Sequence, residues 1–190
     1  MEKGNMTISF LDEVDSTAYG RSLLVGGNDQ SCTIVARVGI FFDSGNCLRI
    51  DVAEADECTC FQDVRMAGTK AYIGFGERLF VVDLITEDVV THQMDGYFGH
   101  IYDPEELDYS GSDFSMLASS ASELLAFDLE GALLWKTTRL AIDGVIVHEV
   151  SPAGIRGNGE WDPPDGWEPF VLLARTGERI SGGIEPQWPT

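Results

Sequence analysis

Leu124-Leu125-Ala126-Phe127-Asp128-Leu129-Glu130-Gly131-Ala132-Leu133-Leu134-Trp135 is the stretch whose reading decides the fold. Four apolar residues run to an acid, Glu130-Gly131 makes a tight turn, and a second short apolar strand ends in a large aromatic. A continuous apolar run of this length, bounded by turn residues, is expected of a strand covered on both faces. The stretch therefore predicts a hairpin of two short strands around the turn at Gly131.

Outward from it, the same pattern recurs. Leu79-Phe80-Val81-Val82-Asp83-Leu84 turns at Thr86-Glu87 into Val89-Val90-Thr91-His92, and Phe170-Val171-Leu172-Leu173 turns at Thr176-Gly177 into Arg179-Ile180-Ser181. Nearer the start, Thr33 to Phe42 breaks at Asp43-Ser44-Gly45-Asn46 and resumes as Cys47 to Val52. There Leu48, Ile50 and Val52 alternate with Arg49 and Asp51, as in a half-buried strand. Residues 7–14 supply an opening strand that closes a sheet, and Gly26-Gly27-Asn28-Asp29 is a turn.

The turn positions Gly45, Glu87, Gly131 and Gly177 are spaced by 42, 44 and 46 residues. A period of this length built from short strands is the mark of stacked small sheets, because one small twisted sheet cannot bury both its faces alone. Glycine at three of the four positions fits a backbone with positive φ. Glu87 is the exception.

Phe127-Asp128-Leu129-Glu130-Gly131-Ala132-Leu133-Leu134-Trp135 resembles the blades of pyrroloquinoline-quinone-type and Trp-Asp-type β-propellers, with weaker copies at 79–91, 170–181 and 38–52. The resemblance covers about a third of the chain and implies a small four-bladed propeller-like architecture. The alternative is a two-sheet β-sandwich or barrel, whose hairpins are also regularly spaced. Either way the expectation is one all-β domain over residues 1–190, with a single short helical turn at Asp103-Pro104-Glu105-Glu106.

The 190 residues carry 32 acids and 12 bases, a net charge of −20. Phosphate binding needs clustered Lys and Arg, so nucleic acid and anionic membrane surfaces are excluded as expected partners. No apolar run approaches the roughly 18 residues of a membrane span. The start lacks an apolar signal segment, and the expected location is the cytoplasm of a bacterial-type cell. Four cysteines, Cys32, Cys47, Cys58 and Cys60, are then expected as free thiols. Cys58-Thr59-Cys60 lacks the spacing of zinc or redox pairs.

No catalytic constellation is visible. His92, His100 and His148 stand apart in sequence, no Gly-x-Ser-x-Gly elbow is present, and Gly74-Phe75-Gly76 is a turn and not a dinucleotide fingerprint. No metal set and no cofactor are predicted. What stands outside the repeat is two segments where aromatics sit among acids: Tyr97, Phe98, His100, Tyr102 and Asp103 in one, Glu160, Trp161, Asp162 and Trp167 in the other. Aromatic anchors beside carboxylates are the composition of a surface for a basic protein or cationic ligand. The sequence reading is thus a non-enzymatic acidic binding protein, such as an immunity or inhibitory protein for a basic partner. A small-ligand or metal-dependent enzyme using the same two loops and a structural module of an assembly are the alternatives.

Overall fold

The computed structural model of the chain describes residues 6–11, 19–27, 32–54, 61–162 and 166–181, apart from the side chains of Glu54 and Ser181. The expected turn at Asn28-Asp29, the Cys58-Thr59-Cys60 pair and Pro163-Pro164-Asp165 lie outside the described residues. Among those described, sixteen strands form four sheets of four, and no helix occurs. The all-β expectation holds. Four separate sheets replace the two of the sandwich alternative.

The first sheet holds β1 (Met6–Phe10), β2 (Arg21–Gly26), β3 (Thr33–Phe42) and β4 (Cys47–Glu54), in the order β1-β3-β4-β2. The second is a plain meander of β5 (Gln62–Ala67), β6 (Lys70–Phe75), β7 (Arg78–Asp83) and β8 (Val89–Gln93). The third runs β9 (Phe98–Tyr102), β10 (Met116–Ser120), β11 (Leu124–Phe127) and β12 (Leu133–Lys136). The fourth runs β13 (Val145–Ser151), β14 (Gly154–Glu160), β15 (Trp167–Leu172) and β16 (Arg179–Ser181). Successive sheets pack face to face, and β5 lies against both β1 and β9.

Side-chain parity explains the apolar runs. In a strand, neighbouring residues face opposite sides of the sheet. Leu124 and Ala126 of β11 enter the core shared with the fourth sheet, while Leu125 and Phe127 enter the core shared with the second. In the same way Phe80 and Val82 of β7 face the first sheet, and Leu79 and Val81 face the third. A strand between two cores has no polar side to show. The first sheet has a core on one described face only, so Leu48, Ile50 and Val52 are buried there. Its Arg49 pairs with Asp51 at 2.9 Å.

All four aligned turns have positive φ: 79° at Gly45, 64° at Glu87, 78° at Gly131 and 68° at Gly177. Glu87 thus adopts the backbone its three counterparts leave to glycine. Its place in the turn is held by neighbours, since Asp83 accepts the amides of Ile85 and Thr86 at 2.8 and 3.2 Å. The same Asp83 carboxylate takes Lys70 Nζ at 2.6 Å. The Lys70 hydrogen bond, followed by the two amides, holds its pKa down at about 2.

The equivalence is incomplete at Gly45. Glu87, Gly131 and Gly177 each join the third and fourth strands of a sheet, whereas Gly45 joins β3 to β4, the middle pair. The outer position of the first sheet is filled by β2, which pairs with β4 in parallel. The 42-residue spacing from Gly45 to Glu87 therefore links two different hairpins. The helical turn expected at Asp103 is a turn closed by Tyr109 N–H on the Pro104 carbonyl at 2.8 Å. Asp103 Oδ1 caps it by accepting Glu106 N–H at 2.8 Å, and no helix follows.

Candidate functional site

The two aromatic, acidic segments meet. Tyr97 precedes β9, and its hydroxyl donates to the carbonyl of Asp143 in the β12–β13 connection. That connection is tied to the end of β14: Ile142 N–H donates to the Glu160 carbonyl and Glu160 N–H to that of Gly144, both at 2.9 Å. Asp143-Gly144 is thus the clasp between one insertion and the other.

A cavity of about 390 Å³ opens at this junction. Phe61 and Tyr97 form one wall, their rings tilted at 43° with centroids 5.8 Å apart. Trp167 stands at another, and Asp143 and Glu160 also line the cavity. Gly144 lets the indole approach closely. A Cβ there would stand 3.2 Å from Trp167 Cη2 and 3.9 Å from Glu160 Oε2. The indole edge and the carboxylate therefore border the same small volume.

His100 and Tyr102, two apart on β9, share a side and meet edge to face with centroids 4.5 Å apart. The Tyr102 hydroxyl, buried with its ring, accepts Val147 N–H at 3.2 Å and so pins β13. Burial pushes the Tyr102 phenol up from its ordinary range. The His100 ring lies between two carboxylates, with Nδ1 3.2 Å from Asp63 and Nε2 3.0 Å from Glu106. Arg65 bridges the same acids, at 2.6 Å to Asp63 and 3.6 Å to Glu106. Nucleophilic catalysis needs a hydroxyl or thiol at the imidazole nitrogen. Here Glu106 occupies that place, and Ser119 Oγ instead accepts the backbone N–H of His100 at 3.2 Å.

Of the nine residues the sequence singled out, Tyr97, His100, Tyr102, Glu160 and Trp167 line the cavity. Phe98 does not: it is fully buried between the second and third sheets, against Gly74. Trp161 is 9% exposed and faces a different hollow, with Asp95 and Ser122. Asp103 caps its turn. Asp162 is exposed, its carbonyl accepting Gly166 N–H at 3.0 Å. On a strand or tight loop, adjacent side chains diverge, so Phe98 beside Tyr97 and Trp161 beside Glu160 point away from the cavity.

Phe61, Asp143 and Gly144 were missed by sequence reasoning. All three stand outside both insertions. Only the stacking of the second sheet on the third, and of the third on the fourth, brings them in. Among the described residues, no three of His, Cys, Asp and Glu are placed to hold a metal ion, and no helix is long and apolar enough to cross a membrane. No family model matches the chain, and it finds no significant match among curated proteins.

Proposed function

We propose that this chain is an acidic recognition protein of propeller-like build, acting in the cytoplasm on a basic protein partner in the manner of an immunity or inhibitory protein. The observation that carries the reading is the junction of the two insertions. Tyr97 and Trp167, 70 residues apart in sequence, wall one cavity with Asp143 and Glu160 at its side. Exposed aromatics next to carboxylates supply contact area and attraction for a cationic surface together. The net charge of −20 adds a long-range field that speeds encounter with a basic partner and repels acidic ones.

The experiment is affinity capture with the immobilised chain, followed by elution in a salt gradient. The expected partner is basic and leaves as ionic strength rises from about 0.05 M to about 0.5 M, where the Debye length shrinks to a few ångströms. Capture of no basic protein, or a complex indifferent to salt, removes the reading.

A further inference from the structure

Resting on that reading, we infer that the cavity walled by Phe61, Tyr97 and Trp167 is a socket for one arginine side chain of the partner. Three observations converge on this occupant. The walls are aromatic rings from three separate parts of the chain, with Phe61 and Trp167 respectively 54% and 37% exposed. A carboxylate stands near one of those rings, Glu160 Oε2 and the Trp167 edge both lying within 4 Å of the Gly144 Cβ position. Finally, the clasp fixes the walls before any ligand arrives, because Tyr97 is tied to Asp143 and Gly144 to Glu160 through hydrogen bonds.

Arginine satisfies this geometry better than lysine. A guanidinium is planar, stacks on aromatic faces, and carries N–H donors around its edge for carboxylates in the same plane. An ammonium is a compact, strongly hydrated charge that loses more water on entering a half-apolar cavity. Gly144 is the gate of the socket. Its missing side chain lets the indole edge approach to where a Cβ would be crowded at 3.2 Å, and its φ lies outside the glycine-favouring positive range. A larger residue there fills the socket without backbone strain.

The test titrates N-acetyl-arginine methylamide into the full chain and follows the indole N–H resonance of Trp167. Its citrulline and lysine analogues serve as controls of equal or similar size. The expected result is a saturable shift in the millimolar range, at least about tenfold weaker for citrulline, which keeps the shape and loses the charge. Gly144→Leu abolishes the shift and Glu160→Gln weakens it; followed at the backbone amide of Asp143, Trp167→Ala loses binding and Trp167→Phe keeps it. Unperturbed core amides of Val147 and Phe170 show that each variant is folded. Equal binding of citrulline, preference for lysine, or unchanged binding by Gly144→Leu overturns the assignment. If a basic partner is captured equally by wild type and Gly144→Leu, recognition by the acidic surface stands and the socket falls.

Discussion

Two glycine–tryptophan pairs lie along the junction of the third and fourth sheets, and they are built to opposite ends. At Gly177 the ring of Trp135 presses so close that a Cβ would stand 2.4 Å from Cε3. The indole N–H donates to the Ala174 carbonyl at 3.0 Å, and the side chain is only 8% exposed. At Gly144 the ring of Trp167 stays 3.2 Å from the equivalent point, 37% exposed, with a carboxylate as neighbour. The same pair of residue types closes the joint in one place and leaves a cavity in the other. What differs is whether the ring reaches backbone, which fills the space and satisfies the N–H, or stops at a strand end beside an acid. Trp135, which ends the stretch that revealed the repeat, is thereby a staple between sheets.

The largest expected effect comes from removing that staple. Trp135→Ala leaves a ring-sized void and an unpaired carbonyl, and should cost about 3–5 kcal/mol in urea unfolding. Gly177→Ala forces a Cβ into the ring at a φ of 68°, for an expected loss of about 1–3 kcal/mol. Trp135→Phe, which keeps a ring and gives up the N–H, should cost about 1–2 kcal/mol. If Trp135→Phe proves as damaging as Trp135→Ala, the Ala174 hydrogen bond matters more than the packing. On the open side, Trp167→Ala should lower stability by about 1 kcal/mol or less while emptying the cavity of its main wall. A loss comparable to that of Trp135→Ala would show that both joints are core.

pH adds a smaller effect at the neighbouring joint of the second and third sheets. His92 is half-buried and meets Phe127 edge to face at 5.1 Å. Burial, and then the charge of Lys136, pushes its pKa below the ordinary value near 6.5. The neutral ring is the one the fold favours, so this stability is fully present above about pH 6.5 and is lost as pH falls toward the lowered value. Unfolding measured from about pH 7.5 down to about 5.5 should show that decline in wild type and not in His92→Leu. Asp83 acts in a lower window. Its contribution is complete above about pH 4 and disappears as pH falls through about 2.

Much of the fold was legible because parity leaves a trace in the chain. The second and third sheets each sit between two cores, so Leu79 to Val82 and Leu124 to Phe127 are apolar throughout. The first sheet shows alternation at Leu48 to Val52 for the opposite reason. Positive φ at the turns was legible where glycine marked it, and Glu87 was found only through its spacing. The out-of-register hairpin at Gly45 was not legible. Its turn chemistry matches the others, and only the parallel pairing of β2 with β4 reveals that the outer strand comes from elsewhere.

The sequence by itself determined that this is an all-β, strongly acidic chain with aromatics set among acids in two insertions. Those properties are carried by local periodicity, turn residues and composition, each readable within a dozen positions. Tertiary structure alone decided which aromatics face outward together. Whether Trp167 or Trp161 enters the cavity depends on the direction each side chain takes from its strand end. Whether Phe61 and Gly144 complete it depends on the stacking of sheets whose strands lie far apart along the chain.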